Sequence, residues 1–501
     1  MLARNTLLPL KQGGADRCST PTDGSQGGVM GLSFTGSLRR LLALGLVLGS
    51  IGAYAQAVDP GVRSGPGAST TPLPTLTAGQ LANFTAGFSN FITVRSVQGA
   101  QANTQEGLGP RYNSSSCGSC HSQPAIGGTS PSTTAPPFVG PNPQVVVAHD
   151  LGATNVLPYF VTANGPVREA RFKHVVQNGE MTRAADGGVH DLFTITGRTD
   201  ATNTAGATGT LQTCVLAQPD FIAARNANNI SFRIPTPVFG MGLVESISDA
   251  TILANMAANA SDKQAFRIRG TPNRNGNDGT ITKFGWKAQN ATALLFAGEA
   301  YNVEMGVSNE IFSVERANPG ETLPTSCLFN PTPEDATAAG DNTGLSDIQQ
   351  FAAFMEGLAP PTPSATLPGG SASITNGAAL FSNTVKCALC HTPTLMASPS
   401  NFTGGTASAV NLFSDLLLHN MGDELADGIS QGLAGPNQFR TAPLWGLGQR
   451  VFFLHDGRTS NLVEAIRAHG DFESEARVSV EQFERLSVQS QQDLLNFLRS
   501  L

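Results

Sequence analysis

Apolar positions recur at helical spacing in several places along the chain. Near the C-terminus Leu494, Leu495, Phe497, Leu498 and Leu501 alternate with polar residues in a way that predicts an amphipathic helix. Residues 376–385, "NGAALFSNTV", form a shorter run with the same period. In the first half, "LTAGQLANFTAGFSNF" (76–91) and "GLSDIQQFAAFMEGLAPP" (344–361) also read as helices, the second closed by Pro360 and Pro361. "VHDLFTITG" (189–197) reads instead as strand bounded by glycine. One apolar run, Leu41 to Ile51, follows Arg39 and Arg40 and precedes Ala53, Ala55 and Ala57. This is the charged, apolar and small-residue order of an export signal. The run is too short for a membrane span of ~20 residues. Cleavage is expected after Ala57, with Ala55 second, and Met30 is the expected start.

These helices bracket two short motifs. Cys117-Gly-Ser-Cys120-His121 and Cys387-Ala-Leu-Cys390-His391 both read C-x-x-C-H, the attachment pattern of c-type haem. In such a motif the cysteines form thioethers with the haem vinyl groups and the histidine supplies an axial nitrogen. A lone C-x-x-C is ambiguous among zinc, disulfide and redox roles. Two copies, each followed by histidine, predict two covalently bound haem c groups. Each motif lies between a preceding helix and a terminal one, as a class I cytochrome c fold requires. The expected architecture is mainly α: two class I cytochrome c-like haem domains, the first with a long loop-rich insertion that contains short strands. The expected divisions are 1–57, upstream segment and signal; 58–77, a flexible leader by its Pro, Gly, Ser and Thr content; 78–361, the N-terminal haem domain; 362–370, a linker; and 371–501, the C-terminal cytochrome domain.

Residues 1–57 hold five of the 30 basic residues and two of the 37 acidic ones, so the mature chain carries a net charge of about −10. That balance disfavours nucleic acid and suits a basic electron-donor partner, a cytochrome or a cupredoxin. No later segment is apolar enough to span a membrane, so no stable anchor is expected after signal cleavage; the expected location is the periplasm or the exterior. Of seven cysteines, four belong to the motifs and Cys18 lies upstream of the signal. Cys214 and Cys327 remain. An oxidising compartment allows them to pair, though sequence does not show whether their Cα atoms are close enough.

His121 and His391 are the expected proximal ligands. The opposite faces decide the chemistry: an iron closed by two protein ligands moves electrons, and an open one binds an oxidant. For the second iron His419, Met421, His455 and His469 are candidates that composition does not separate. For the first, His149, His174, His190, Met241 and Met305 are available, but none sits in a recognisable ligand motif. Trp286 and Trp445, the two tryptophans of the chain, are candidates for carrying electrons or stacking on a porphyrin; core anchoring is the alternative.

Phe439 to Gly470, "FRTAPLWGLGQRVFFLHDGRTSNLVEAIRAHG", resembles the C-terminal signature of the bacterial di-haem oxidoreductases. "EGLGPRYNSSSCGSCH", "FRIPTPVFGMGLVE" and "FGWKAQNAT" resemble the same family in the first half. The likeness extends more distantly to di-haem cytochrome c peroxidases, MauG-type enzymes and rubber oxygenases. It implies that the N-terminal haem carries the chemistry while the C-terminal haem relays electrons. It also implies that the helix after the H-x-G turn ends in a distal ligand. That position is His469 here, where peroxidase relatives commonly have Met; a bis-His iron of lower potential follows, with Met421 in reserve. The resulting expectation is a haem-dependent, peroxidase-like oxidoreductase acting on a small-molecule oxidant. A rubber-oxygenase-like dioxygenase and a non-enzymatic electron carrier are the alternatives.

Overall fold

The computed structural model describes residues 56–99, 104–131, 141–177, 179–184, 188–200, 214–318, 320–335 and 344–501. The expected export signal lies outside the described residues, except for Gln56 and Ala57. The described residues form one compact unit.

Two helix pairs organise the chain. Thr77 caps the Ala78–Ile92 helix reciprocally with Gln80, and that helix packs on Asp347–Gly357 through Phe84, Phe91 and Phe354. Gly87 allows the contact, because a Cβ there would lie 2.1 Å from the Gln350 carbonyl oxygen. The second pair repeats the device. Gly370–Ala379 continues as a wider turn over Leu380–Thr384 and crosses Val488–Ser500. Here a Cβ on Gly377 would lie 2.1 Å from the Asp493 carbonyl oxygen. Each pair stands next to one C-x-x-C-H motif, so the four helices predicted from periodicity are present and paired.

The remaining chain is loop with short strands. Glu169–Phe172 is the centre of a three-stranded antiparallel sheet, between Val189–His190 and Ile230–Arg233. Glu169 and Arg171 share one face by the two-residue period, and Arg233 lies opposite Glu169 in register. The C-terminal half also has two short antiparallel pairs, Leu395–Ala397 with Ser408–Val410 and Leu418–Asn420 with Gln438–Arg440. Sequence reading placed strands in the first domain's insertion alone; three-residue strands are too short to show alternation. Leu395, Val410, Leu412, Leu416 and Trp445 join the core built around Phe91 and Phe354, so the two halves share apolar packing.

Residues 58–77 are held in place, in contrast to the flexible leader expected. Asp59 clamps Arg499 with bonds of 2.7 and 2.6 Å and accepts from the Leu462 amide at 2.7 Å. The expected linker is also anchored: Ser364 N–H donates to the Ser500 carbonyl at 2.7 Å. Cys214 and Cys327 form a disulfide with Cα atoms 4.7 Å apart. Among the described residues no helix is long and apolar enough to cross a membrane.

Candidate functional site

Two cavities carry the two motifs. Cys387, Cys390 and His391 border the C-terminal one, whose other walls are mostly apolar, including Phe381, Leu444, Phe453, Phe483 and Leu494. His391 Nδ1 is 3.0 Å from the Phe413 carbonyl oxygen. A carbonyl only accepts, so Nδ1 carries the proton and Nε2 keeps its lone pair, the tautomer a metal-binding histidine needs. Burial pushes the His391 pKa down to about 4. His469, the last residue of the turn after Leu462–Ala468, repeats this arrangement: Nδ1 is 2.7 Å from the Ala465 carbonyl oxygen, and burial lowers its pKa. It borders the same cavity as His391.

The other candidates for this iron are engaged differently. His419 is bound at both nitrogens, to Glu475 at 2.8 Å and Asp415 at 3.0 Å. Burial opposes its charge, yet the Cys390 sulfur and Asp415 hold its pKa well above the usual histidine value. With a carboxylate at each ring nitrogen, it has no free lone pair to offer an iron. The His455 ring stacks on Phe439 at 4.4 Å, and burial pushes its pKa down to about 4. Met421 is half-buried in the cavity wall beside Trp286 and Phe439.

Arg440 and Arg450 are buried at this cavity, and neither has a carboxylate partner among the described residues. Burial, and for Arg440 also the charge of Arg450, pushes both pKa values down to about 10. Arg450 has no carboxylate acting on it and Arg440 only the charge of Asp415, and buried cations so weakly compensated are costly unless an anion meets them. A porphyrin bearing propionates is such an anion, so the residues fit a haem. The four motif thiols are unpaired, and burial raises Cys117 and Cys387 to about 12, the opposite of a reactive dithiol.

Cys117, Cys120 and His121 border the N-terminal cavity. His121 Nδ1 is 3.1 Å from the Gly128 carbonyl oxygen, and burial pushes its pKa down to about 4. Among the described residues no second histidine lines this cavity. His149 and His174 are exposed, while His190 stacks on Phe172 at 3.8 Å. Met241 lines a separate small cavity; Met305 does border this one, with its sulfur 3.9 Å from Cys117 Sγ. The rest of the wall is polar. The Ala293–Met305 helix contributes Glu299 and Glu304 from one face, and the three-stranded sheet contributes Glu169, Arg171 and Arg233. Glu304 bonds Glu169 and accepts from Asn113 Nδ2 at 2.7 Å; Glu169 pairs with Arg171 at 2.5 Å. Burial, then the charge of Glu169, holds the Glu304 carboxyl well above its ordinary range. Against burial, Arg171 holds Glu169 below its own. Arg171 thus favours the charge on Glu169 and the neutral carboxyl at Glu304.

Trp286 borders both cavities. Its Nε1 donates to the Ile234 carbonyl at 2.8 Å, and its ring meets His455 edge-on at 6.4 Å. Trp445 lies elsewhere, in a third, smaller cavity with Arg440 and Arg450, against Gly240. Sequence reading had not singled out Glu169, Glu304, Arg440 or Arg450; the last two stand inside the "FRTAPLWGLGQR" segment.

Two cavities, each bordered by a C-x-x-C-H and both bordered by Trp286, have the arrangement of a di-haem protein. The family described as "Di-haem oxidoreductase, putative peroxidase" matches residues 184–501, and the chain belongs to it. No curated protein matches the chain. Among solved structures it is similar to Kuenenia stuttgartiensis hydrazine synthase, at 16% identity over 32% of this chain and 56% of that one, with a TM-score of 0.21. It is also similar to a MauG-like protein associated with microbial copper homeostasis, at 17% identity over 31% and 52%, TM-score 0.22. The di-haem peroxidase BthA of Burkholderia thailandensis matches at 15% identity over 44% and 65%, TM-score 0.26. The chain spans between half and two thirds of the length of these structures.

Proposed function

We propose that the protein is an exported, periplasmic di-haem c-type oxidoreductase that reduces peroxide or a related oxidant at the His121 site. Electrons are relayed through the His391 site from a donor cytochrome or cupredoxin. The observation that carries this reading is the asymmetry of the two cavities. The C-terminal one offers a second histidine, His469, with its Nε2 free, in apolar surroundings suited to a closed electron-transfer iron. The N-terminal one offers a proton-sharing carboxyl pair and no second histidine.

Cys117 and Cys120, and Cys387 and Cys390, would each hold a haem by thioethers, and a bound haem would supply one-electron chemistry at its iron. The protein's own groups do the rest. Reduction of hydrogen peroxide to two waters consumes two electrons and two protons. Glu304 holds a proton at the cavity wall, Glu169 and Arg171 set its acidity, and Asn113 fixes its orientation. This is acid–base machinery of the kind O–O cleavage needs, and it disfavours a hydrocarbon-binding dioxygenase. Trp286, the shared wall, is the contact between the two sites. The arginines Arg440 and Arg450 compensate the haem carboxylates.

The test is turnover of hydrogen peroxide by the reduced holoprotein with a donor cytochrome. Peroxide-dependent donor oxidation is expected. Dioxygen uptake with a polyisoprene substrate and no peroxide turnover would instead mark the oxygenase.

A further inference from the structure

Lys287 follows Trp286 in the chain and is fully buried. Its ammonium sits in a cage of oxygens. It donates to the Gly435 and Gln438 carbonyls at 2.9 and 2.8 Å and lies 3.1 Å from Asp427 Oδ1. Asp427 also holds Arg233 at 2.6 Å. Two buried cations thus share one carboxylate, and the group carries a net positive charge. The ammonium stands 4.1 Å from the centre of the Phe439 ring, and Phe439 stacks on His455. Phe439, His455 and Trp286 all border the C-terminal cavity. An apolar side chain fills a purely structural position at lower cost than a buried ammonium.

We propose that Lys287 is a fixed internal cation that biases electron transfer along the Trp286 wall, favouring the electron-rich state of the haem held at His391 and disfavouring oxidation of the Trp286 ring. The proposal rests on the relay reading above. A positive charge in a low-dielectric interior stabilises an electron added nearby and raises the cost of removing one. No bond forms or breaks, and one electron moves at a time.

The test is a reductive titration of the holoprotein, followed at the haem that does not take up cyanide. Lys287→Gln keeps donors for the carbonyls and removes the charge. It should lower the reduction equilibrium constant of that haem about tenfold, which is ~59 mV for one electron. Asp427→Asn removes the compensating negative charge; measured at a pH low enough that Lys287 keeps its proton without it, it should shift the constant the other way, whereas a packing role moves both variants alike. The pH dependence gives a second reading. Burial pushes the Lys287 pKa down to about 8, so raising the pH from about 7 to about 9 should lower the constant in the wild type by more than in Lys287→Gln. The charged groups facing Lys287 are Asp427, Arg233 and Arg171, and none of these titrates in that range; the nearby His455 is already neutral. A constant unmoved in Lys287→Gln and no more pH-dependent in the wild type than in that variant, or moved alike in both variants, overturns the proposal. No peroxide enters the titration, so failure of peroxide turnover would count against the proposed reaction and leave this result standing.

Discussion

Glu304→Gln separates the proton of the carboxyl pair from its hydrogen bonds. Glu304 lines the N-terminal cavity, and burial and then the charge of Glu169 hold its carboxyl well above its ordinary range, which favours the neutral acid. Glutamine therefore replaces a neutral acid with a neutral amide of the same shape. Its oxygen still accepts from Asn113, and its amide still donates to Glu169. No buried charge is created and no cavity opens, so stability should change by less than about 1 kcal/mol. The transferable proton, however, is gone. Positioned general acids contribute about 10²–10⁴ in rate, so kcat/KM for hydrogen peroxide should fall by that factor, or about 3–5 kcal/mol of transition-state stabilisation. The assay is steady-state oxidation of a reduced donor cytochrome, with thermal unfolding measured on the same sample. A loss of turnover smaller than about tenfold at unchanged stability would refute the role of the pair. So would a loss that merely follows a fall in melting temperature.

Three further outcomes follow from buried charges. Asp59→Ala strands the Arg499 guanidinium beneath Phe453 and should cost about 3–5 kcal/mol in denaturant unfolding; Asp59→Ala with Arg499→Met should recover most of it, because no charge is left buried. Glu475 has its carboxyl held down to about 2, against burial, by His419. Its contribution to stability is present above its ordinary value of about 4.5 and is lost as pH falls toward about 2, so Glu475→Gln should flatten the acid limb of a melting-temperature profile. Arg450→Gln removes an unpartnered cation: unfolding of the haem-free chain should show equal or greater stability, while haem content per polypeptide falls.

The parts of the fold that sequence made legible are those with local signals. Helical period, with the Pro360-Pro361 stop, located the four crossing helices, and the C-x-x-C-H pairs located both cavities. The His469 position came from the likeness of "LHDGRTSNLVEAIRAHG" to a family signature rather than from its own pattern. Glu304 was invisible because "AGEAYNVEM" has the look of a solvated helix face, and its partner Glu169 lies in a strand far away in sequence. The contacts of the leader were hidden for a similar reason. Its Pro, Gly and Ser content signals flexibility, yet one charge, Asp59, finds Arg499 at the opposite end of the chain. Arg440 and Arg450 lay within a recognised segment, but an unpartnered buried cation is a property of packing that no local pattern reports.

In the proposed holoprotein one iron would keep an open face and His469 would close the other. Ferric electron paramagnetic resonance of the holoprotein, with and without cyanide, tests it most directly when repeated on His469→Ala. The account predicts two haems per chain, one high-spin signal that cyanide converts to low spin, and one low-spin signal that cyanide leaves alone and His469→Ala makes high spin. Two low-spin signals indifferent to cyanide, or a second signal that survives His469→Ala and is lost in Met421→Ala, would contradict it.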